Sequence, residues 1–228
     1  MYLSRLILNP RSRQVQHELA DPYELHRTVC QAFPNANYKQ NESSGILFRV
    51  DLHLRTRIPT LIVQSRQKPN WEFLLTEKKN YLLGETDLPL KVKNLDCKEI
   101  DLQLSAGQTL AFRLRANPTF KKTIEKEDGE KHKARLGIFK EEDQHDWLKR
   151  KIESAGAALV SVNIVNDQFV RGKLFTGKND QKQMRFLSVQ FDGVLQVKDP
   201  DQFVKTIYTG FGSAKGLGFG LLSLALSQ

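Results

Sequence analysis

The order of apolar alternation along the chain constrains its fold more than any other feature. Two successive halves each read strand, helix, strand, strand, helix, strand. Tyr2 to Asn9 alternates loosely and ends at Pro10, which predicts a strand. Asp21-Pro22 opens a helix, with Asp at the N-cap and Pro at the first helical position, and Pro34 stops it. Leu25, Val29 and Phe33 recur four apart and face a core. Ile46 to Arg55 and Thr60 to Gln64 alternate around Ile58-Pro59-Thr60 and predict a hairpin. A second helix is expected within Trp71 to Leu83. Glu99 to Leu104 and Thr109 to Arg115 read as two more strands around Ser105-Ala-Gly-Gln108.

Lys121 to Lys133 is dense in both charge signs, lacks an apolar face and contains Gly129, which reads as a mobile loop. Glu141 to Ala155 is a helix with Trp147, Leu148 and Ile152 inside. Ala158 to Val165, Phe169 to Phe175 and Met184 to Val197 read as strands. Asp199-Pro200 repeats the helix opening and leads to Tyr208, a glycine-rich segment, and a last strand at Gly220 to Ala225. This is the order of the split βαβ, or ferredoxin-like, unit. Two tandem α+β copies, residues 1–105 and 106–228, account for all 228 residues. The same βαββαβ sheet is the architecture of RNA-binding RRM modules. The expected sheet faces carry no RNP-type aromatic pairs, so the fold alone supports RNA only weakly.

Charge narrows the partner. Lys and Arg number 35 against 26 Asp and Glu, a net +9, which points to a polyanion: nucleic acid first, an anionic membrane surface second. With 39% apolar residues the chain can bury a core, which excludes wholesale disorder. Cys30 and Cys97 are too far apart for a zinc knuckle or a disulfide framework and fit a reducing cytosol. The start, MYLSRLILN, is not a signal peptide, and the apolar tail LLSLAL falls far below the roughly 20 residues that span a bilayer. A soluble, cytoplasmic protein without membrane attachment is expected. HxH, HExxH and GxSxG motifs are absent, so no metal or cofactor is expected.

Gly210 to Gly220 holds five glycines in eleven residues, with Ser213 and Lys215 among them. Glycines bring backbone N–H groups close to an anion. The Walker pattern is absent, and Gly210, Gly212 and Gly216 have the wrong spacing for a dinucleotide loop. A polynucleotide backbone is the better fit; close helix–sheet packing is the alternative. Among five histidines, His26 stands three residues after Tyr23 on the first helix and next to Arg27. That spacing shares one helix face. Such a pair could deprotonate a ribose 2′-hydroxyl and protonate the departing 5′-oxygen, with an arginine beside the phosphorane. On spacing alone, Tyr-x-x-His is more often an ordinary surface or core feature. Arg171, Lys173, Lys178, Lys182 and Arg185 face only Asp180 where a hairpin tip would project. Such a hairpin can follow duplex phosphates, or be a solvated turn. Arg113 and Arg115 alternate on one strand face and repel unless an anion or an acid lies between them, which favours an anion site.

These segments together resemble the CasE-type CRISPR RNA-processing endoribonucleases of the RAMP superfamily. The resemblance is carried by MYLSRLILN at the start, PYELHRT from Pro22, FRLRANP from Phe112 and WLKRK from Trp147. FDGVL from Phe191 and the glycine-rich end GFGLLSLA add to it. It implies two tandem ferredoxin-like domains and metal-independent cutting of CRISPR repeat RNA at the 3′ base of its hairpin. The products are a 2′,3′-cyclic phosphate and a 5′-hydroxyl, with the crRNA kept and the protein joining other Cascade subunits; the free protein is expected to be a monomer. His26 falls on the family's catalytic histidine and Tyr23 on its helper tyrosine. Arg171 and Lys173 fall near residues that grip the scissile region and stem. Some members have a lysine where this chain has Gln31, which leaves Arg27 or Lys215 to supply that charge. The competing class is a RAMP-type subunit that holds RNA without cutting it.

Overall fold

Each half of the chain forms a four-stranded antiparallel sheet of ferredoxin-like order. The computed structural model describes residues 1–33, 45–88, 92–125, 131–166, 169–175 and 181–226. The first unit contains β1 (Tyr2–Ile7), α1 (Arg13–Ala20), α2 (Pro22–Gln31), β2 (Leu47–Leu52), β3 (Pro59–Ser65), α3 (Phe73–Thr76) and β4 (Leu95–Glu99), with sheet order β2-β3-β1-β4. The second is built from β5 (Thr109–Ala116), α4 (Glu141–Ser154), β8 (Ala157–Asn166), β11 (Val189–Val197), α5 (Pro200–Thr209) and β12 (Leu222–Leu226), with order β12-β5-β11-β8. Two hairpins are inserted in it: β6 (Thr119–Glu125) with β7 (Lys131–Gly137), and β9 (Val170–Phe175) with β10 (Gln181–Phe186).

Local chemistry explains the helices. Both Asp-Pro openings cap as expected: Asp21 Oδ1 accepts from Tyr23 N at 3.2 Å and Asp199 Oδ1 from Gln202 N at 3.0 Å. Leu25, Val29 and Phe33 of the α2 segment are buried with Leu6, Phe48, Leu61 and Val63. Burial of each such side chain stabilises by about 1.5–3 kcal/mol. Trp147, Leu148 and Ile152 of α4 are buried with Phe191, Phe203 and Ile207 in a second core. Among the described residues no helix is long and apolar enough to cross a membrane.

Three expectations are corrected, and a fourth, the helix within Trp71 to Leu83, is met by a shorter element. The strand at Glu99 to Leu104 lies earlier, at Leu95–Glu99, where it pairs antiparallel with β1 from Leu6↔Leu95 to Tyr2↔Glu99. Leu102 and Leu104 pack instead on the second core. The helix within Trp71 to Leu83 is a single turn, Phe73–Thr76; Trp71, Tyr81 and Leu82 fill the first core from extended chain. Lys121 to Lys133 is not a loop: Thr119–Glu125 pairs with Lys131–Gly137, a solvated ribbon that needs no apolar face, and residues 126–130 lie outside the described residues. Met184 to Val197 is two strands, broken at the buried Leu187 and Ser188 where the chain passes from the β9–β10 hairpin into the main sheet. Helix α1 was not foreseen.

The two sheets meet through a buried arginine. Arg49 on β2 is 3% exposed and its guanidinium pairs with Asp51 at 2.7 and 2.8 Å. Its Nη1 donates to the carbonyls of Arg113 and Leu221 at 3.3 and 3.2 Å, and Nη2 to Ser223 Oγ at 3.0 Å, all in the second unit. Gln64 Nε2 adds a buried bond to the Ile207 carbonyl at 2.9 Å.

Candidate active site

Helix α2 presents His26 at the junction of the two units. The ring stacks on Phe48 of β2, with centroids 6.0 Å apart and planes 20° apart. Across from it lies Gly216, in the 3-10 turn Lys215–Leu217 of the glycine-rich segment. A Cβ on Gly216 would sit 3.6 Å from His26 Cε1 and Nε2, so the missing side chain leaves open space over that edge of the ring. Cys30, one turn further along α2, places Sγ 3.5 Å from His26 Nε2. Burial pushes the His26 pKa below the ordinary histidine value and the Cys30 thiol up to about 11. At neutral pH this histidine is therefore an uncharged imidazole, able to accept a proton.

The back of α2 is anchored by a buried polar network. Glu18 on α1 accepts from Thr28 Oγ1 at 2.9 Å and from the Tyr81 hydroxyl. Lys78 donates to Thr28 Oγ1 at 2.8 Å and pairs with Glu18 at 3.4 Å. Burial and the Glu18 charge both raise the Tyr81 pKa, so its hydroxyl stays a donor. The helix is thus held from behind while its other face meets the glycine loop.

That loop divides its glycines between packing and access. A Cβ at Gly210 would lie 2.7 Å from Leu47 Cδ2 and one at Gly220 2.6 Å from the Phe211 carbonyl, so both serve close packing at positive φ. Gly212 lies against Trp147, and Ser213 Oγ reaches the Asn117 carbonyl at 3.5 Å. Gly216 borders His26, and Lys215 precedes it in the same 3-10 turn. Strand β9 runs beside α2, with Arg171 directly opposite Arg185 in the hairpin register. The Arg185 guanidinium lies 4.5 Å over the Phe169 ring. Lys178 lies outside the described residues, as do the side chains of Lys173 and Lys182. Among the described residues no three His, Cys, Asp or Glu side chains gather to hold a metal ion.

The family model described as CRISPR associated protein matches residues 1–225. The chain belongs to that family. A CRISPR-associated endoribonuclease, Cse3 of Thermus thermophilus, is 32% identical over 99% of this chain and 100% of its own length. The CRISPR system Cascade subunit CasE of Escherichia coli is 30% identical over 99% of each chain. A structure of the CRISPR endoribonuclease Cse3 bound to a 19-nucleotide RNA superposes with a TM-score of 0.79 at 30% identity, covering 99% of this chain and 100% of the other. These likenesses make the chain a CasE-type member of the CRISPR-associated endoribonucleases.

In this CRISPR-associated chain, the remaining expected residues are spread over both units. Arg27 pairs with Glu24 on its own helix at 3.1 Å. The anion site favoured at Arg113 and Arg115 is met differently at Arg113: its cross-strand partner Asp192 accepts from it at 2.6 and 3.1 Å. Arg115 donates to Ser188 Oγ at 2.8 Å and lies over the Phe219 ring. Gln31 lines a separate pocket with Asn70, Phe73 and Glu77. Sequence reasoning missed Cys30, Phe48 and Arg49. Cys30 carried a signal, the i, i+4 spacing from His26; Phe48 and Arg49 carried none, because an alternating strand does not announce what lies across from it.

Proposed function

We propose that this protein is an endoribonuclease that cuts CRISPR repeat RNA at the 3′ base of its hairpin and keeps the mature crRNA as a Cascade subunit. The carrying observation is the placement of His26: a neutral imidazole on an anchored helix, facing a glycine-opened gap, in a chain alignable end to end with an endoribonuclease. The ribose 2′-oxygen attacks the adjacent phosphorus, its proton is removed, the P–O5′ bond breaks and the 5′-oxygen gains a proton. The nucleophile is internal to the RNA, so neither water nor metal need be activated, and alignment is most of the task. His26 and Tyr23 share the two proton transfers. Lys215, with the N–H groups of Gly212, Ser213 and Gly216, holds backbone phosphates; Gly210 serves packing instead, its N–H taken by the Thr206 carbonyl at 2.8 Å. Arg27, Arg113, Arg115 and the hairpin residues Arg171, Lys173, Lys178, Lys182 and Arg185 grip the stem. The domains divide at residues 105 and 106, between β4 and β5.

A labelled repeat hairpin tests the reading in a single-turnover assay with EDTA present. His26→Ala should lower the cleavage rate roughly 10²-fold or more while RNA binding persists. A 2′-deoxy nucleotide at the cut position should abolish cleavage altogether. Undiminished cutting of the deoxy substrate would rule out 2′-hydroxyl attack.

A further inference from the structure

Cys30 is a group that the proposed reaction leaves unused, yet its sulfur meets the imidazole at 3.5 Å from Nε2. Phe48 stacks on the ring, and Gly216 of the second unit lies beside its Cε1–Nε2 edge. So placed, the imidazole offers Nε2 to the thiol, with no Gly216 side chain covering that edge. Burial keeps the thiol protonated, with its pKa up at about 11, and keeps the imidazole neutral. Between two neutral groups the direction of the hydrogen bond follows acceptor strength. An unprotonated ring nitrogen is a good acceptor and sulfur a weak one, so the S–H donates to Nε2.

We propose that Cys30 is a positioning residue for His26: its thiol hydrogen marks Nε2 as the unprotonated nitrogen, leaves the ring proton on Nδ1, and commits His26 to accept the proton of the ribose 2′-hydroxyl. This rests on the reading of His26 as the catalytic imidazole. O2′ gives its proton to Nε2 as the O2′–P bond forms and the P–O5′ bond breaks. The 5′-oxygen takes the Tyr23 hydroxyl proton, which the imidazolium then restores. The thiol suits this place because it is a weak donor, and a ribose hydroxyl displaces it from Nε2 at small cost.

The experiment records the ¹⁵N shifts of His26 in the RNA-free full chain at neutral pH, for wild type, Cys30→Ala and Cys30→Ser. Single-turnover cleavage of the repeat hairpin and its affinity are measured alongside. Wild type should show the Nδ1–H tautomer, and Cys30→Ser, which still donates, should keep it together with near-normal cleavage. Cys30→Ala should populate the Nε2–H tautomer and cut roughly tenfold more slowly at unchanged RNA affinity, as expected for lost alignment. A wild-type Nε2–H tautomer, or a Cys30→Ala protein with unaltered tautomer and rate, overturns the proposal. His26→Ala separates the two levels. If it cuts like wild type, the reading of His26 fails; if it is inactive while Cys30→Ala is indistinguishable from wild type, only the role of Cys30 fails.

Discussion

At the residue scale, three restraints from different parts of the chain meet on one imidazole: the Cys30 thiol, the Phe48 ring and the bare backbone of Gly216. The Gly216 gap makes a clean probe. A methyl there would rest at ordinary contact distance, 3.6 Å from Nε2 and 3.8 Å from Cδ2, so the fold should accept it. Gly216→Ala should leave stability within about 0.5 kcal/mol in urea unfolding yet slow cleavage by about tenfold or more, because the methyl covers the working edge of the ring. Burial also ties His26 to stability. Its folded pKa lies below the unfolded value of about 6.5, so the unfolded chain binds the proton more tightly. The contribution is therefore whole above about pH 6.5 and is lost as pH falls through the depressed folded value. The urea midpoint of wild type should drop relative to that of His26→Gln between pH 7 and pH 5; parallel curves would show that the ring is not desolvated. The Tyr23–His26 spacing was visible in the sequence, but its meaning was not. Helical spacing says which residues share a face and nothing about what that face meets.

At the element scale, α2 is a short helix whose proposed catalytic residues, Tyr23 and His26, sit in its first turns. Asp21 caps it by accepting from the Tyr23 N–H, so the cap and the tyrosine proposed to assist His26 are coupled. Asp21→Ala should cost about 1 kcal/mol in denaturant unfolding and slow cleavage as well, since fraying begins at Tyr23. A stability loss with an untouched cleavage rate would show that the first turn need not be ordered for the chemistry. Elements with strong local signals were legible: both Asp-Pro helices, the β2–β3 hairpin and α4 lie where periodicity and capping put them. Misreadings arose where a partner decides the structure. Strand β4 lies where β1 offers it a partner while Leu102 and Leu104 pack on the second core, and the charged β6–β7 ribbon is held by backbone pairing that no apolar stripe announces.

At the scale of the whole molecule, the two sheets are locked by Arg49, whose single guanidinium serves Asp51 and three acceptors of the other unit. Removing it leaves the carbonyls of Arg113 and Leu221 with less than their share of donors at a buried junction. Arg49→Ala should destabilise the protein by on the order of 3 kcal/mol, moderated by the partial exposure of Asp51. Arg49→Lys should not restore it, because an ammonium cannot reproduce the planar fork. Cleavage should fall in both variants even where the chain is folded, since the Gly216 loop and His26 belong to different units. Retained wild-type activity would mean that the sheets hold their alignment without the clamp.

Alternation, capping pairs and net charge act between near neighbours or over the whole composition. They alone determined the doubled βαββαβ plan, the two Asp-Pro helix openings and the helical spacing of Tyr23 and His26, and they pointed to a polyanionic partner. Only the tertiary structure decided that Gly216, far along the chain, would lie over His26, that Asp192 would answer Arg113, and that a strand arginine would be buried as a clamp. Those contacts depend on how two sheets dock, and docking is set by complementary surfaces that no period in the sequence encodes.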